Sequence, residues 1–378
     1  MRILLLLLAA ATAAAADEPR ARDLGIPFDG VPGPLNAITD VEGVTVGQVT
    51  LIEDFEDGRA VRTGVTAVLP RGKRTNEAMV YGAWTPLNGN GEMTGTTWLE
   101  ESGFLESAVM ITNTHSVGAV HEGVIRRRIA AGGADSTGYF WSLPVVAETW
   151  DGDLIDVNGF HVRPEHAANA LENASGGNVA EGSVGGGTGM TCFDFKCGIG
   201  TASRVTGAAG EDWTVGVLVQ ANFGYRYQLT VAGVPVGKSM PMEGDEPGYE
   251  EEEEGSIIVV VATDAPLLPH QLKRIARRAT LGIARTGGIA TNGSGDIVIA
   301  FSTANEEAGQ AKIDATIRSL PNDSLSPLFE ATVQATEEAI INALVAGRDM
   351  TGHRGFSVSG IDHEKLRALL RAHGRLED

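Results

Sequence analysis

The chain has 378 residues, 43% apolar and 21% charged, a composition that supports a packed core and speaks against a disordered or fibrous chain. Its formal charge of −20 argues against a nucleic-acid partner, since phosphate binding needs clustered Lys and Arg.

At the amino terminus, Arg2 precedes a largely apolar run over residues 3–16 that ends in small residues before Asp17. One positive charge, a short apolar stretch and an Ala-x-Ala-like end predict a secretory signal peptide, residues 1–16, and export to the periplasm or the medium. The run is short for a bilayer span, and no later segment is long and uncharged enough to make one, so no membrane partner is expected. Residues 17–378 are expected to form one domain, because no Pro/Ser-rich linker separates two patterned halves.

Runs rich in Val, Ile and Thr predict strands at 65–69, 108–112, 145–149, 214–220, 257–263 and 297–302. Helical patterns between them point to a layered α/β fold. One helix is predicted over 272–283, where Leu272, Ile275, Ala276, Ala279 and Ile283 fall on one face. A second is expected with Ser326 as cap and Pro327 in the first turn, burying Leu328, Phe329, Val333, Ile340 and Leu344 and stopping at Gly347. The 49 glycines cluster at 82–95 and 185–200 without forming a nucleotide-binding loop, and read as tight turns or close packing. Cys192 and Cys197 are the only thiols; their spacing allows a small disulfide loop or two buried free thiols. No His or further Cys stands near them at metal-ligand spacing.

Residues 242–262 read MEGDEPGYEEEEEGSIIVVVA. Eight acids lie between Glu243 and Glu254, and five successive glutamates repel one another, so this stretch is expected to be a solvated tether. It ends at Gly255, which tolerates unusual backbone angles. Ser256 then opens a buried strand. Such a junction reads either as a charged loop running into a strand that begins with Ser or as a site of backbone self-cleavage, in which Ser256 Oγ attacks the Gly255 carbonyl and hydrolysis of the resulting ester leaves a serine whose free α-amine lies beside its own hydroxyl. An amine so placed is a known base for a weak nucleophile.

The segment GSIIVVVATDAPLLPHQLKRIARRATLGIARTG (255–287) resembles the start of the β subunit in the L-aminopeptidase D-Ala-esterase/amidase family, which includes the β-aminopeptidases. Similar stretches recur along nearly the whole chain: GVPGPLNAITDVEGVTVG (30–47), GNGEMTG (89–95), SAVMITNTHSVG (107–118), PVVAETWDG (144–152), GGGTGM (185–190), GIGTASR (198–204) and VGVLVQANFG (215–224). The resemblance implies a four-layer αββα sandwich, cleavage at Gly255–Ser256 into an α chain (17–255) and a β chain (256–378), and a homo-oligomer of processed units. It implies release of amino-terminal residues from small peptides, amides or esters, with no metal or other cofactor.

Residue by residue, the resemblance makes Ser256 the nucleophile. In NGSGD (292–296) it makes Ser294 and Asp296 the accessory hydroxyl and carboxylate. Asn222 takes the place of the oxyanion donor. Glu148 is a candidate for the substrate ammonium or a structural carboxylate, and Trp150 stands where the family often has a tyrosine implicated in the oxyanion site, although an indole has no acidic hydroxyl. His115 and His121 read as structural, and no G-x-S-x-G or S-x-x-K signature of rival hydrolases is present. Two other readings are a related acyltransferase and an exported peptide-binding protein with a degenerate site.

Overall fold

A computed structural model describes residues 19–132, 136–138, 140–241, 255–309 and 314–376. The expected signal peptide and the acidic stretch 243–254 lie outside these residues.

Two sheets lie at the centre. The smaller has the order β1–β2–β5–β6, with β1 Thr45–Asp54, β2 Ala60–Leu69, β5 Val109–Asn113 and β6 Val145–Thr149. The larger has the order β4–β3–β12–β11–β10–β9, with β3 Val80–Gly89, β4 Phe104–Leu105, β9 Ile199–Ala208, β10 Glu211–Asn222, β11 Ser256–Thr263 and β12 Gly295–Ser302. A hairpin of β7 Thr191–Cys192 and β8 Phe195–Lys196 stands beside the end of β10. The helices are α1 Thr96–Ser102, α2 Val117–Ala130, α3 Pro164–Glu172, α4 Val236–Ser239, α5 Pro269–Arg285, α6 Ser326–Val345 and α7 His363–Ala372. Two parallel pairs, β5–β6 and β11–β12, have α2 and α5 in their crossovers, as parallel pairing requires.

Burial follows the period of the strands and gives three apolar interfaces. Ile258, Val260 and Ala262 of β11 meet Val109, Ile111, Val145 and Ala147 of the smaller sheet. Ile257, Val259 and Val261 point the other way, onto Leu272, Ile275 and Ala279 of α5 and Ala335 and Ala339 of α6. The outer face of the smaller sheet, through Val65, Ala67, Met110 and Val146, packs on Val120 and Val124 of α2 and Ala167 and Ala170 of α3. Three interfaces between four layers make an αββα sandwich. Because β11 is covered on both faces, its sequence is an unbroken apolar run rather than an alternating one.

All six predicted strands are present. Strands β1, β3 and β9, which carry Gly, Pro or partly exposed polar residues, are additional to those predicted. In β9 the glycine has a packing cause: a Cβ at Gly200 would lie 2.0 Å from the Ala339 carbonyl oxygen, where α6 presses on the sheet. Helix α6 corrects the expected cap, since Ser326 is its first residue and Leu325 the cap residue. Leu325 is fully buried and already in the right-handed helical region, so the core draws the helix start back by one position. Leu328, Ile340 and Leu344 are buried as expected, whereas Phe329 and Val333 are only half-buried. The Arg274 and Arg278 guanidinium groups cover the Phe329 ring at 5.0 and 4.1 Å.

An ion cluster ties the amino-terminal segment to α6. Glu338, fully buried, accepts hydrogen bonds from Arg22 Nε (2.7 Å), Asn36 Nδ2 (2.6 Å) and the buried Arg204 Nη2 (2.6 Å). Burial alone would raise its pKa, but Arg22, Arg204 and Asn36 outweigh that and hold the carboxyl below its usual range. Glu338→Gln leaves Arg204 charged and buried without its counter-ion, and such breakage costs about 3–5 kcal/mol. Urea unfolding at pH 7 is expected to show a loss of this size. Since the folded pKa is depressed, the wild-type advantage is present above the unfolded carboxyl pKa of about 4.3 and is lost as pH falls through the folded value. A variant as stable as wild type at pH 7 would contradict this account of the cluster.

Candidate active site

Ser256 is the first residue of β11, in the middle of the larger sheet. Its antiparallel partner across β10 is Asn222, and its parallel partner on β12 is Gly295. Residues directly opposite on antiparallel strands project to the same face with Cβ atoms about 4.5–5.5 Å apart. The register therefore sets the Asn222 side chain beside the Ser256 hydroxyl. From the smaller sheet, the backbone N–H of Trp150 donates to Ser256 Oγ at 3.1 Å. The Gly255 carbonyl, the acyl group of the predicted cleavage site, accepts from the Gly295 N–H at 2.9 Å.

Ser294 and Asp296 flank Gly295, and both are buried. Ser294 Oγ donates to Asp296 Oδ1 at 2.7 Å, which fixes the hydroxyl rotor and leaves the Ser294 lone pairs to accept a proton from elsewhere. Asn222, expected just past its strand, is the last residue of β10. Its Oδ1 accepts from the Thr191 N–H at 2.8 Å.

Glu148 lies two residues before Trp150 on β6 and is 4% exposed. It accepts from the Glu92 N–H at 2.9 Å and from Thr114 Oγ1. Burial pushes its pKa up, with the Thr114 and Glu92 hydrogen bonds opposing. A Cβ at Gly91 would sit 3.2 Å from both Glu148 Oε1 and the Gly295 backbone, so little more than Gly91 separates this carboxylate from the centre of the site. A buried carboxylate held by neutral donors suits a cationic ligand group.

Three features escaped the sequence reading. The Trp150 contact runs through its main chain, so it does not depend on the missing tyrosine hydroxyl. His115, expected to be structural, is exposed, with its ring edge-on to Trp150 (6.1 Å) and stacked on Phe160 (6.2 Å). Behind Trp150, Asp151 is pushed up to about 7 by burial, and burial brings Lys196 down to about 7 with Asp151 opposing. A lone Lys between two cysteines and an Asp inside a motif gave no sequence signal for either. Among the described residues, no group of three or more His, Cys, Asp or Glu is placed to hold a metal ion, and no helix is long and apolar enough to cross a membrane.

A serine at the start of a central strand, between the two sheets of an αββα sandwich and within reach of the Trp150 N–H, is the arrangement of the Ntn hydrolase fold. Residues 36–358 match the model of Peptidase family S58, and the chain belongs to that family. It is 52% identical to the β-peptidyl aminopeptidase BapA of Sphingosinicella microcystinivorans, covering 96% of this chain and 94% of that one. A protein of the same name from Sphingosinicella xenopeptidilytica is 44% identical, with 94% and 91% covered. Among solved structures, the L-aminopeptidase D-Ala-esterase/amidase of Ochrobactrum anthropi, described as a prototype of the serine aminopeptidases and a variant of the Ntn hydrolase fold, superposes with a TM-score of 0.88 at 48% identity. That match covers 95% of this chain and all of the other.

Proposed function

We propose that this chain is a self-processing serine aminopeptidase and amidase that releases amino-terminal residues from small peptides, amides or esters through an acyl-enzyme on Ser256. The observation that carries the reading is the seat of Ser256, which opens a buried strand directly after Gly255, with the Trp150 N–H on its hydroxyl and Asn222 opposite. In self-cleavage, Oγ attacks the Gly255 carbonyl carbon, the peptide nitrogen leaves as the α-amine, and water hydrolyses the ester to free the Gly255 carboxylate. In turnover, that α-amine takes the hydroxyl proton and returns it to the leaving amine. Ser294 and Asp296 orient the amine, Asn222 Nδ2 and the Trp150 N–H receive the developing oxyanion, and Glu148 binds the substrate ammonium. The processed units assemble as a homo-oligomer outside the cytoplasm, and residues 1–16 are the removed export signal.

A panel of L-, D- and β-residue p-nitroanilides, with and without an acceptor amine, tests this reading. Hydrolysis without acceptor supports it, and product formed only with acceptor would favour an acyltransferase. The two relatives named as β-peptidyl aminopeptidases are the reason to include β-residue amides. On a substrate whose own amine does not titrate in this range, kcat/KM is expected to rise through neutral pH, as an amine of pKa about 7.7–8.0 loses its proton. A carboxylate beside an ammonium raises the ammonium pKa, so Asp296→Asn is expected to move the limb to lower pH. A wild-type profile flat from about pH 5 to 9 would remove the amine from the base role.

A further inference from the structure

Asn222 can donate to an oxyanion only if its amide is turned the right way. A backbone N–H only donates, so its bond from Thr191 fixes Oδ1 on the side of that residue and sends Nδ2 to the opposite side. Thr191 opens the β7–β8 hairpin, which lies between two of the family-like stretches. The tight turn of this hairpin puts Phe193 (φ 51°) and Asp194 (φ 57°) in the left-handed region. Its base is closed by a Cys192–Cys197 disulfide with Cα atoms 5.4 Å apart. Lys196 Nζ, buried within it, donates to the Met190 and Cys197 carbonyls at 2.7 Å each.

The hairpin grips the end of β10 at successive points. Besides the Thr191 bond, the Phe193 N–H donates to the Phe223 carbonyl at 2.9 Å, and the two rings meet edge-on at 5.0 Å. The Phe193 ring covers Gly224, where a Cβ would come within 2.4 Å of it. Thr191 sits opposite Lys196 in the hairpin, yet its N–H goes to Asn222 and that of Lys196 to the Ser359 carbonyl. These two N–H groups therefore serve contacts outside the hairpin ladder.

We propose that Thr191 is a positioning residue for the oxyanion donor, its main-chain N–H locking the Asn222 amide, and that the Cys192–Cys197 disulfide holds Thr191 in register for this task. The inference rests on Asn222 being the donor. Loss of the Thr191 N–H frees the amide to rotate and lowers turnover without weakening ground-state substrate binding. Reduction of the disulfide acts in the same direction.

The test measures kcat and KM on one aminoacyl p-nitroanilide, per mole of cleaved enzyme. Thr191→Pro removes the N–H at the first residue of a strand, a place where proline is tolerated. One neutral hydrogen bond has a net worth of about 0.5–1.5 kcal/mol, so kcat is expected to fall roughly 2- to 12-fold with KM within about twofold. Thr191→Val keeps the N–H and is expected to keep most of the rate. The Cys192→Ser/Cys197→Ser pair is expected to lower kcat likewise. In an Asn222→Ala background neither change should reduce kcat further, because no amide remains to orient. Equal losses in both backgrounds, or an undiminished kcat in Thr191→Pro, would overturn the proposal. Should Thr191→Pro not fold, the cysteine pair in the two backgrounds applies the same criterion. If Asn222→Ala itself retains full kcat, the donor role falls and this inference with it; a normal loss there combined with additive losses from the hairpin variants sinks the inference alone.

Discussion

Ser256→Ala is expected to yield one uncleaved chain with no measurable amidase activity. In the proposed mechanism the same hydroxyl attacks the Gly255 carbonyl in processing and the substrate carbonyl in turnover, so its removal is expected to stop both. Removing a serine nucleophile costs about 10⁶ in kcat in the reference case, an effect far larger than any other expected here. The variant should fold normally, because Ser256 Oγ receives one hydrogen bond, from Trp150, and the strand behind it is held by the apolar residues 257–262. Denaturing electrophoresis and the thermal midpoint report both points. If the alanine chain still divided between residues 255 and 256, another protease would be responsible.

Asn222→Ala is expected to lower kcat about 10²- to 10³-fold with a smaller change in KM. In the proposed site Asn222 is the amide donor; such a donor strengthens as charge moves onto the carbonyl oxygen, and loss of one costs about 2.7–4 kcal/mol. The Trp150 N–H is a main-chain group that the substitution leaves in place, so the residual rate should exceed that of Ser256→Ala. Unchanged kcat with a raised KM would instead assign Asn222 to ground-state binding.

Sequence and structure agree where one physical signal dominated. The run 257–263 is apolar enough to be a strand covered on both faces, and Leu272, Ile275 and Ala279 repeat at helical spacing, so β11 and α5 were legible. Strands β1, β3 and β9 were not, because Gly47, Pro86 and Gly200 weaken strand propensity. Ser256 was singled out by the acidic tether that ends at Gly255, whereas Asn222, Ser294 and Asp296 were reached through the family resemblance. Register joins Asn222 to Ser256, and it sets Gly295 of β12 opposite Ser256, which brings the main chain of Ser294 and Asp296 next to the nucleophile strand. Pairing between residues 34 and 39 positions apart leaves no trace in local composition. Main-chain donors were equally invisible, since an N–H looks the same in every residue but proline; the parts played by Trp150, Thr191 and Gly295 emerged only from coordinates. The spacing of Cys192 and Cys197 left their pairing open until the hairpin placed their Cα atoms 5.4 Å apart.

Every role proposed for the site depends on Ser256 working as an amino-terminal residue. Amino-terminal sequencing of purified enzyme, on the sample that hydrolyses the p-nitroanilide, tests it most directly. Two sequences in equal amount are expected, one starting near Asp17 and one reading Ser-Ile-Ile-Val from Ser256. A fully active sample with a single amino terminus near Asp17 would contradict it.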